Sequence, residues 1–446
     1  MKKHLNENPV KPTRIHFVAV VLACLVIGSV PNTFGVVPAP DGGYPGGNTA
    51  EGQTALFALT TGSFNTAVGI FSLLSNTQGN FNTALGAGAL LANVGNPSSG
   101  EGIQNTATGA GALFSNSTGF DNTADGAFAL FTNAGGAGNT ATGTSALFSN
   151  TIGSDNTADG TFALINNTGG NSNTAVGRDT LFANTSGSNN TALGRSALGS
   201  NTTGNSNTAD GVSALGNNTT GQLNTATGAG ALLSNTEGNS NTADGEAALA
   251  NNTTGQLNTA AGAGALLGNT EGNNNTAGGV AALTNNTTGQ SNTAIGASAL
   301  LGNIIGNSNV ALGVEAGADL TGDNNIDIGV QVRGLAGESN TIRIGDNLPR
   351  HNESNCYIGG IFDSHIGEDG FAVGVNVDNK VGDTFALGAV KVRIKDLIQD
   401  HKKIAELEAT VAAFANELKE QAAQIQKVSA QIQITKPEAK VVLSNH

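Results

Sequence analysis

The sequence predicts an all-β chain, a solenoid of stacked 17-residue coils, with an α-helical coiled coil behind it. Three observations carry this expectation. The tripeptide Asn-Thr-Ala recurs fifteen times, nearly always at intervals of 17 residues. Small and turn-forming residues dominate, with 64 Gly, no Trp and 12% charged residues, a composition that sends the search to repeats before ordinary domains. A heptad of apolar residues begins at Leu397 and is closed by Pro437.

The first element is basic and then apolar. Lys2, Lys3, Lys11 and Arg14 precede a run from Phe17 to Val30. That run falls short of the roughly 20 residues a bilayer span needs, so a secretory signal is expected, with Gly35 as a cleavage position. The competing readings are an uncleaved N-terminal anchor and, at Val21-Leu-Ala-Cys24, a lipoprotein box whose apolar run does not stop where it should. Removal of the signal would leave Cys356 as a single thiol, free or paired between chains, and no internal disulfide.

The repeat follows. Asn-Thr-Ala starts at Asn48, Asn65 and Asn82, then at Asn105 and every 17 residues to Asn292, with Asn-Val-Ala at Asn309. One interval is 23 residues and contains Pro97-Ser-Ser-Gly-Glu-Gly102. A 34-residue period is overlaid, since Asn-Thr-Ala-Asp-Gly at 207 and 241 is each followed by Asn-Asn-Thr-Thr-Gly-Gln-Leu. Glycine at this density excludes helices, at about 1 kcal/mol per helical position. Two short extended segments per coil are expected, around Thr-Ala-x and around x-Ala-Leu-x, with Gly at the fifth and fifteenth positions supplying positive φ at the corners. Coils stacked at about 4.8 Å would make a rod of roughly 70 Å from Asn48 to Asn309. Asn at positions one and twelve should form amide ladders that satisfy the turns.

Two apolar columns are expected. Position nine is Leu in all fifteen units, from Leu56 to Leu300. Position ten is also large in the first half: Phe57, Leu74, Leu91, Phe114, Phe131, Phe148, Ile165 and Phe182. On a strand these two would face opposite sides, leaving one column without cover unless another chain supplies it.

Chemistry is sparse. The histidines (His4, His16, His351, His365, His401 and His446) all lie outside the repeats, so no Ser there has a general base and no enzyme is expected. No catalytic, cofactor-binding or metal-ligating residue is assigned. Asp125, Asp159, Asp210 and Asp244 share the fourth position, where three chains side by side could ring a hard cation, or simply a solvated face tolerates small polar residues. The Thr column invites an ice- or solute-binding reading, although its flanking rank is mixed. The net charge of −14, with only Arg178 and Arg195 basic between Asn48 and Ser308, excludes nucleic acid as a partner.

After Asn309 the pattern becomes Asn-Ile-Asp-Ile-Gly (325–329), Thr-Ile-Arg-Ile-Gly (341–345) and Cys-Tyr-Ile-Gly (356–359), which look like a closing cap. The heptad then places Leu397, Ile404, Val411, Leu418, Ile425 and Ile432 at a, and Asp400, Leu407, Phe414, Gln421, Val428 and Thr435 at d. These mixed residues fit two strands or three. The simpler alternative is one amphipathic helix packed on the solenoid.

The Asn-Thr-Ala-x-Gly-x-x-Ala-Leu units resemble the head repeats of trimeric autotransporter adhesins of the YadA type. Asn189-Asn-Thr-Ala-Leu-Gly194 and Asn324-Asn-Ile-Asp-Ile-Gly329 are similar to that family's Asn-Ser-Val-Ala-Ile-Gly motif. The resemblance implies a left-handed parallel β-roll, three chains side by side, a neck and a coiled-coil stalk. It also implies surface display and binding to extracellular matrix, glycans or cell-surface molecules. Family members end in a membrane β-barrel, whereas this chain ends in Val-Val-Leu-Ser-Asn-His446, and the stretch from Phe371 to Lys395 is too short for a C-terminal chaperone domain. The expected division is a signal peptide at 1–35, a linker at 36–47, solenoid head repeats at 48–346, a neck or cap at 347–388, the coiled coil at 389–435 and a flexible tail at 436–446. The function expected is an exported, non-catalytic homotrimeric fibre at the cell surface or outside it. An inert envelope or matrix fibre, or an ice- or solute-binding solenoid, are the alternatives.

Overall fold

The computed structural model describes residues 44–345 and 394–434. Residues 44–345 form a parallel β-solenoid. Its strands are three residues each, from β1 (Thr49–Glu51) to β18 (Ile342–Ile344), one per coil. Each pairs in parallel with the strand before and the strand after, in a register that sets Thr on Thr and Ala on Ala, as at Thr123↔Thr140 and Ala124↔Ala141. The stacked core consists of Ala at positions three and eight and Leu at position nine, nearly all without solvent exposure. Each buried Leu contributes on the order of 2 kcal/mol, so the coil holds by repetition and no single layer dominates.

The second expected strand is absent. Positions six to eleven form tight turns in which the sign of φ alternates: Phe128 is at 60°, Leu130 at 51°, Ser145 at 56° and Leu147 at 51°. A left-handed Leu costs about 1–2 kcal/mol, and two features offset it. Its side chain fills the core, and the alternation sends successive N–H groups up and down the stack. Phe128 donates to the preceding coil at Ala110 O (2.9 Å), and Leu130 donates to the following coil at Ala146 O (2.9 Å). Both backbone directions are thereby satisfied without an extended strand.

Of the two glycines, only the fifth-position one meets the expectation. The fifth position has positive φ throughout, as at Gly126 (147°) and Gly143 (117°). The fifteenth does not; there the hydrogen side chain is a matter of space. A Cβ on Gly136 would lie 2.3 Å from Gly153 O and 2.4 Å from Asn133 Oδ1.

That carbonyl is where the two amide ladders meet. Asn139 Nδ2 donates to Asn122 Oδ1 (3.0 Å) in the coil before and to Gly153 O (2.9 Å) in its own. Asn150 Nδ2 donates to Asn133 Oδ1 (2.7 Å) and to the same Gly153 O (2.8 Å). The asparagines of both columns are fully buried and bonded, as the sequence predicts. The twelfth-position ladder runs from Asn76 to Asn303 and is bounded by Leu59 and Leu320 at the same position. The long interval leaves it unbroken: Asn116 Nδ2 reaches Asn93 Oδ1 at 2.9 Å, while an Asn96–Glu101 bridge closes the extra loop outside the stack.

The 34-residue period has a structural cause at position sixteen. Asn in every second coil accepts the backbone N–H of position sixteen in the coil before, as in Gln222 N to Asn239 Oδ1 (2.8 Å) and Gln256 N to Asn273 Oδ1 (2.7 Å). Its amide turns back on its own coil, Asn239 Nδ2 to Glu237 O at 2.9 Å. The unit of this contact is a pair of coils.

The stretches 325–329 and 341–345 continue the stack as β17 (Ile326–Ile328) and β18 and do not form a separate cap. The third stretch, 356–359, and Cys356 lie outside the described residues, as do the signal peptide, nearly all of the linker, the neck and the tail. The one helix of the described residues, α1 (Ile394–Ile434), is a unit of its own. Its 41 residues give a length of about 60 Å. It is not apolar enough to cross a membrane.

Candidate functional site

Along the solenoid three surfaces stand out: the outward sheet face, an apolar ridge and a notch that interrupts it. The outward face of the sheet carries Thr at position two and a variable residue at position four. The Thr rank is unbroken from Thr49 to Thr293, but its neighbour includes Val176, Leu193 and Ile295, so the flat double Thr rank of an ice-binding face is not formed. Asp125, Asp159, Asp210 and Asp244 are exposed on this face. Register sets Asp125 against Thr108 and Thr142, and Asp244 against Thr227 and Ala261, so no two of them are neighbours within a chain. Among the described residues no group of three His, Cys, Asp or Glu side chains could hold a metal.

The apolar ridge, made of positions seven and ten, departs from expectation. Position ten is not on the far side of a strand, and in its middle it needs no second chain for cover. Phe131, Phe148 and Ile165 are only 8%, 4% and 8% exposed. They are covered by stacking along the solenoid: Phe114 on Phe131 at 4.9 Å, Phe131 on Phe148 at 5.0 Å, and Phe128 edge-on to Phe131 at 5.8 Å. Each such pair is worth about 1 kcal/mol beyond its buried area. Only towards the N-terminal end is the column open, with Phe57 76% exposed.

The ridge stops abruptly at Phe182. The next two coils have Gly199 and Gly216 at position ten, and the column resumes with Leu233. The missing side chains leave an open notch of about 470 Å³. Its floor is glycine backbone, its ends are Phe182 and Leu233, and Asp179, Ser196, Ser200, Ser213 and Asn217 form its sides.

A further residue, unassigned from the sequence, is Asp327. It takes the inward position held by Ala in the regular coils and is completely buried. Neither carboxylate oxygen has a hydrogen-bond partner. Arg343, on the next strand, is 3.9 Å away and is itself engaged by Glu338. Burial pushes the Asp327 carboxyl up to about 6, against the opposing pull of Arg343. The signal was present in the sequence, as the one acidic residue at the Ala position of the repeat.

No protein-family model, curated protein or solved structure matches the chain. The surfaces must therefore be interpreted from their own chemistry.

Proposed function

We propose that the chain is an exported, non-catalytic fibre whose solenoid displays an adhesive or structural surface and whose helix joins three copies. The observation that carries this reading is the apolar seam of α1. Ile404, Leu407, Val411, Phe414, Leu418 and Ile425 are 52–66% exposed, all at a and d positions of one heptad register. A stripe of that size is not stable in water alone, and supercoiling with identical helices covers it. A closed rotational arrangement then sets like solenoids side by side. Repeats resembling YadA-type heads support three copies, a left-handed roll and surface display. The shallowness of the notch and the absence of His from the repeats favour a binding or structural role over catalysis.

The test is the solution mass of the chain from Val36 onward, by light scattering after size exclusion. Three times the monomer mass is expected. A monomeric mass at micromolar concentration would sink the fibre reading, because the α1 seam would then be stable uncovered.

A further inference from the structure

Arg178 and Arg195 are the only basic residues between Asn48 and Ser308, in a run with twelve acidic ones. They occupy the sixth position of adjacent coils, and those coils pair in register, Val176 on Leu193. Their stems therefore start about 4.8 Å apart. Like charges at that separation repel, and the fold does not require them, since the same position elsewhere holds Ala110, Ala127, Thr144 or Thr161. Arg178 Nε contacts Asp179 Oδ2 at 3.1 Å. Arg195 has no carboxylate within ion-pair distance among the described residues.

The pair stands beside the notch. Asp179, which holds Arg178, lines it, and so does Ser196, the residue after Arg195. Neither guanidinium lines the notch itself: Arg178 reaches it through Asp179, and Arg195 precedes a lining residue, so each of the two cations of the repeats stands one residue from the notch wall.

We propose that the arginine pair and the notch form a binding site for a carboxylated sugar, of uronic or sialic acid type. The planar guanidinium groups match a carboxylate, which relieves their mutual repulsion. The notch volume is within the ligand-site range of about 300–1,000 Å³. The ends lie three coils apart, about 14 Å, so a disaccharide places the C–H face of one ring against Phe182 and of the next against Leu233, and its hydroxyls against Ser200, Ser213, Asn217 and the Asp179 carboxylate. The surrounding acidic residues repel densely charged polyanions, so the fitting ligand carries one isolated negative group. This deepens the adhesive reading by naming a ligand class. The residues all belong to one chain, so the site can be tested whatever the oligomeric state.

The experiment is titration calorimetry of the full chain at low salt with 3′-sialyllactose and with the single hyaluronan disaccharide, each carrying one carboxylate, against lactose as the neutral control. At least one acidic sugar should bind tenfold or more tightly than lactose. Arg178→Gln with Arg195→Gln should abolish that preference with no change in melting temperature. Gly199→Phe with Gly216→Leu should abolish binding by filling the notch; the same position already accepts Phe131 and Phe148, so the coil tolerates it. Equal affinity for acidic and neutral sugars, or binding unchanged in both double variants, would overturn the site. A trimer that fails to bind rejects the site and leaves the fibre, whereas a monomer that binds keeps the site and rejects the fibre.

Discussion

The regular coils and the last two coils bury polar groups in opposite ways. From Asn48 to Asn309 every coil buries neutral amides, and each donates to its neighbour and to a turn carbonyl. In the β17 coil the amide ladder still reaches Asn325, but the inward position that Ala holds elsewhere is charged in β17 and β18: Asp327 is buried with neither oxygen hydrogen-bonded, and Arg343 is shared with Glu338. A neutral ladder extends without limit, because its donors and acceptors recur in each coil. A charge at the inward column cannot be stacked upon repeatedly, since like charges would lie one coil apart in a low-dielectric core. The difference shows how a periodic sequence can break the chemistry of a column while keeping its backbone.

The regular region is most easily broken at the fifteenth position. In Gly136→Ala the new Cβ meets Gly153 O and Asn133 Oδ1 at 2.3 and 2.4 Å, one of them backbone and the other a laddered amide. Neither can yield without breaking the stack, so a loss of more than about 3 kcal/mol is expected. Urea unfolding measures it, and hydrogen exchange should show the loss spreading to the adjoining coils. Gly230→Ser is the matched control. Its Cβ meets nothing within 4 Å, so only its left-handed φ of 66° is penalised and a smaller loss, about 1–2 kcal/mol, is expected.

The amide ladder allows a finer comparison between interior and end. Asn150→Leu removes donors to Asn133 Oδ1 and Gly153 O and takes the acceptor from Asn167 Nδ2. Two broken steps inside a dry core should cost about 2–3 kcal/mol. Asn76→Leu, at the ladder's first rung, has Leu59 before it and loses one step only, so about 1 kcal/mol is expected. Equal losses by urea unfolding would mean that the rungs act independently of their place in the stack.

Much of this architecture was legible because the period is strict. Seventeen-residue spacing, the Leu56-to-Leu300 column and the two Asn columns led directly to stacked coils and buried ladders. The second strand was misread because x-Ala-Leu-x has strand-like composition, while the alternating φ at Phe128 and Leu130 is a backbone property that no side chain announces. Gly136 was assigned a conformational role from its type, although its constraint comes from a neighbour one coil away. The cover of Phe131 was missed for a related reason. Residues 17 apart are adjacent in the stack, so a column of aromatic rings can bury itself. Gly199 and Gly216 interrupt the tenth-position column in the sequence, as do Ala250 and Thr284, but only the fold turns the first two into a notch and sets Asp179, the partner of Arg178, in its wall.

The smallest effect concerns the last two described coils. The Asp327 carboxyl titrates near 6 in the folded chain and at an ordinary 3.8 when exposed. Between these values the folded state holds a proton that the unfolded state has lost, so stability rises as pH falls from 7 towards 4 and levels off below it. This sign is opposite to that of a salt-bridged carboxylate, and it follows from burial outweighing Arg343. The effect should be confined to the last coils, where Ile326 N bonds to Thr341 O and Gly345 N to Ile328 O. Exchange protection of Ile326 and Gly345, corrected for intrinsic rate, should therefore increase at pH 5 relative to pH 7, while that of Thr140 stays constant. Asp327→Ala restores the Ala column and should remove the dependence. Protection that instead falls on acidification would show that the attraction of Arg343 outweighs burial, and that these two coils are held by an ion pair.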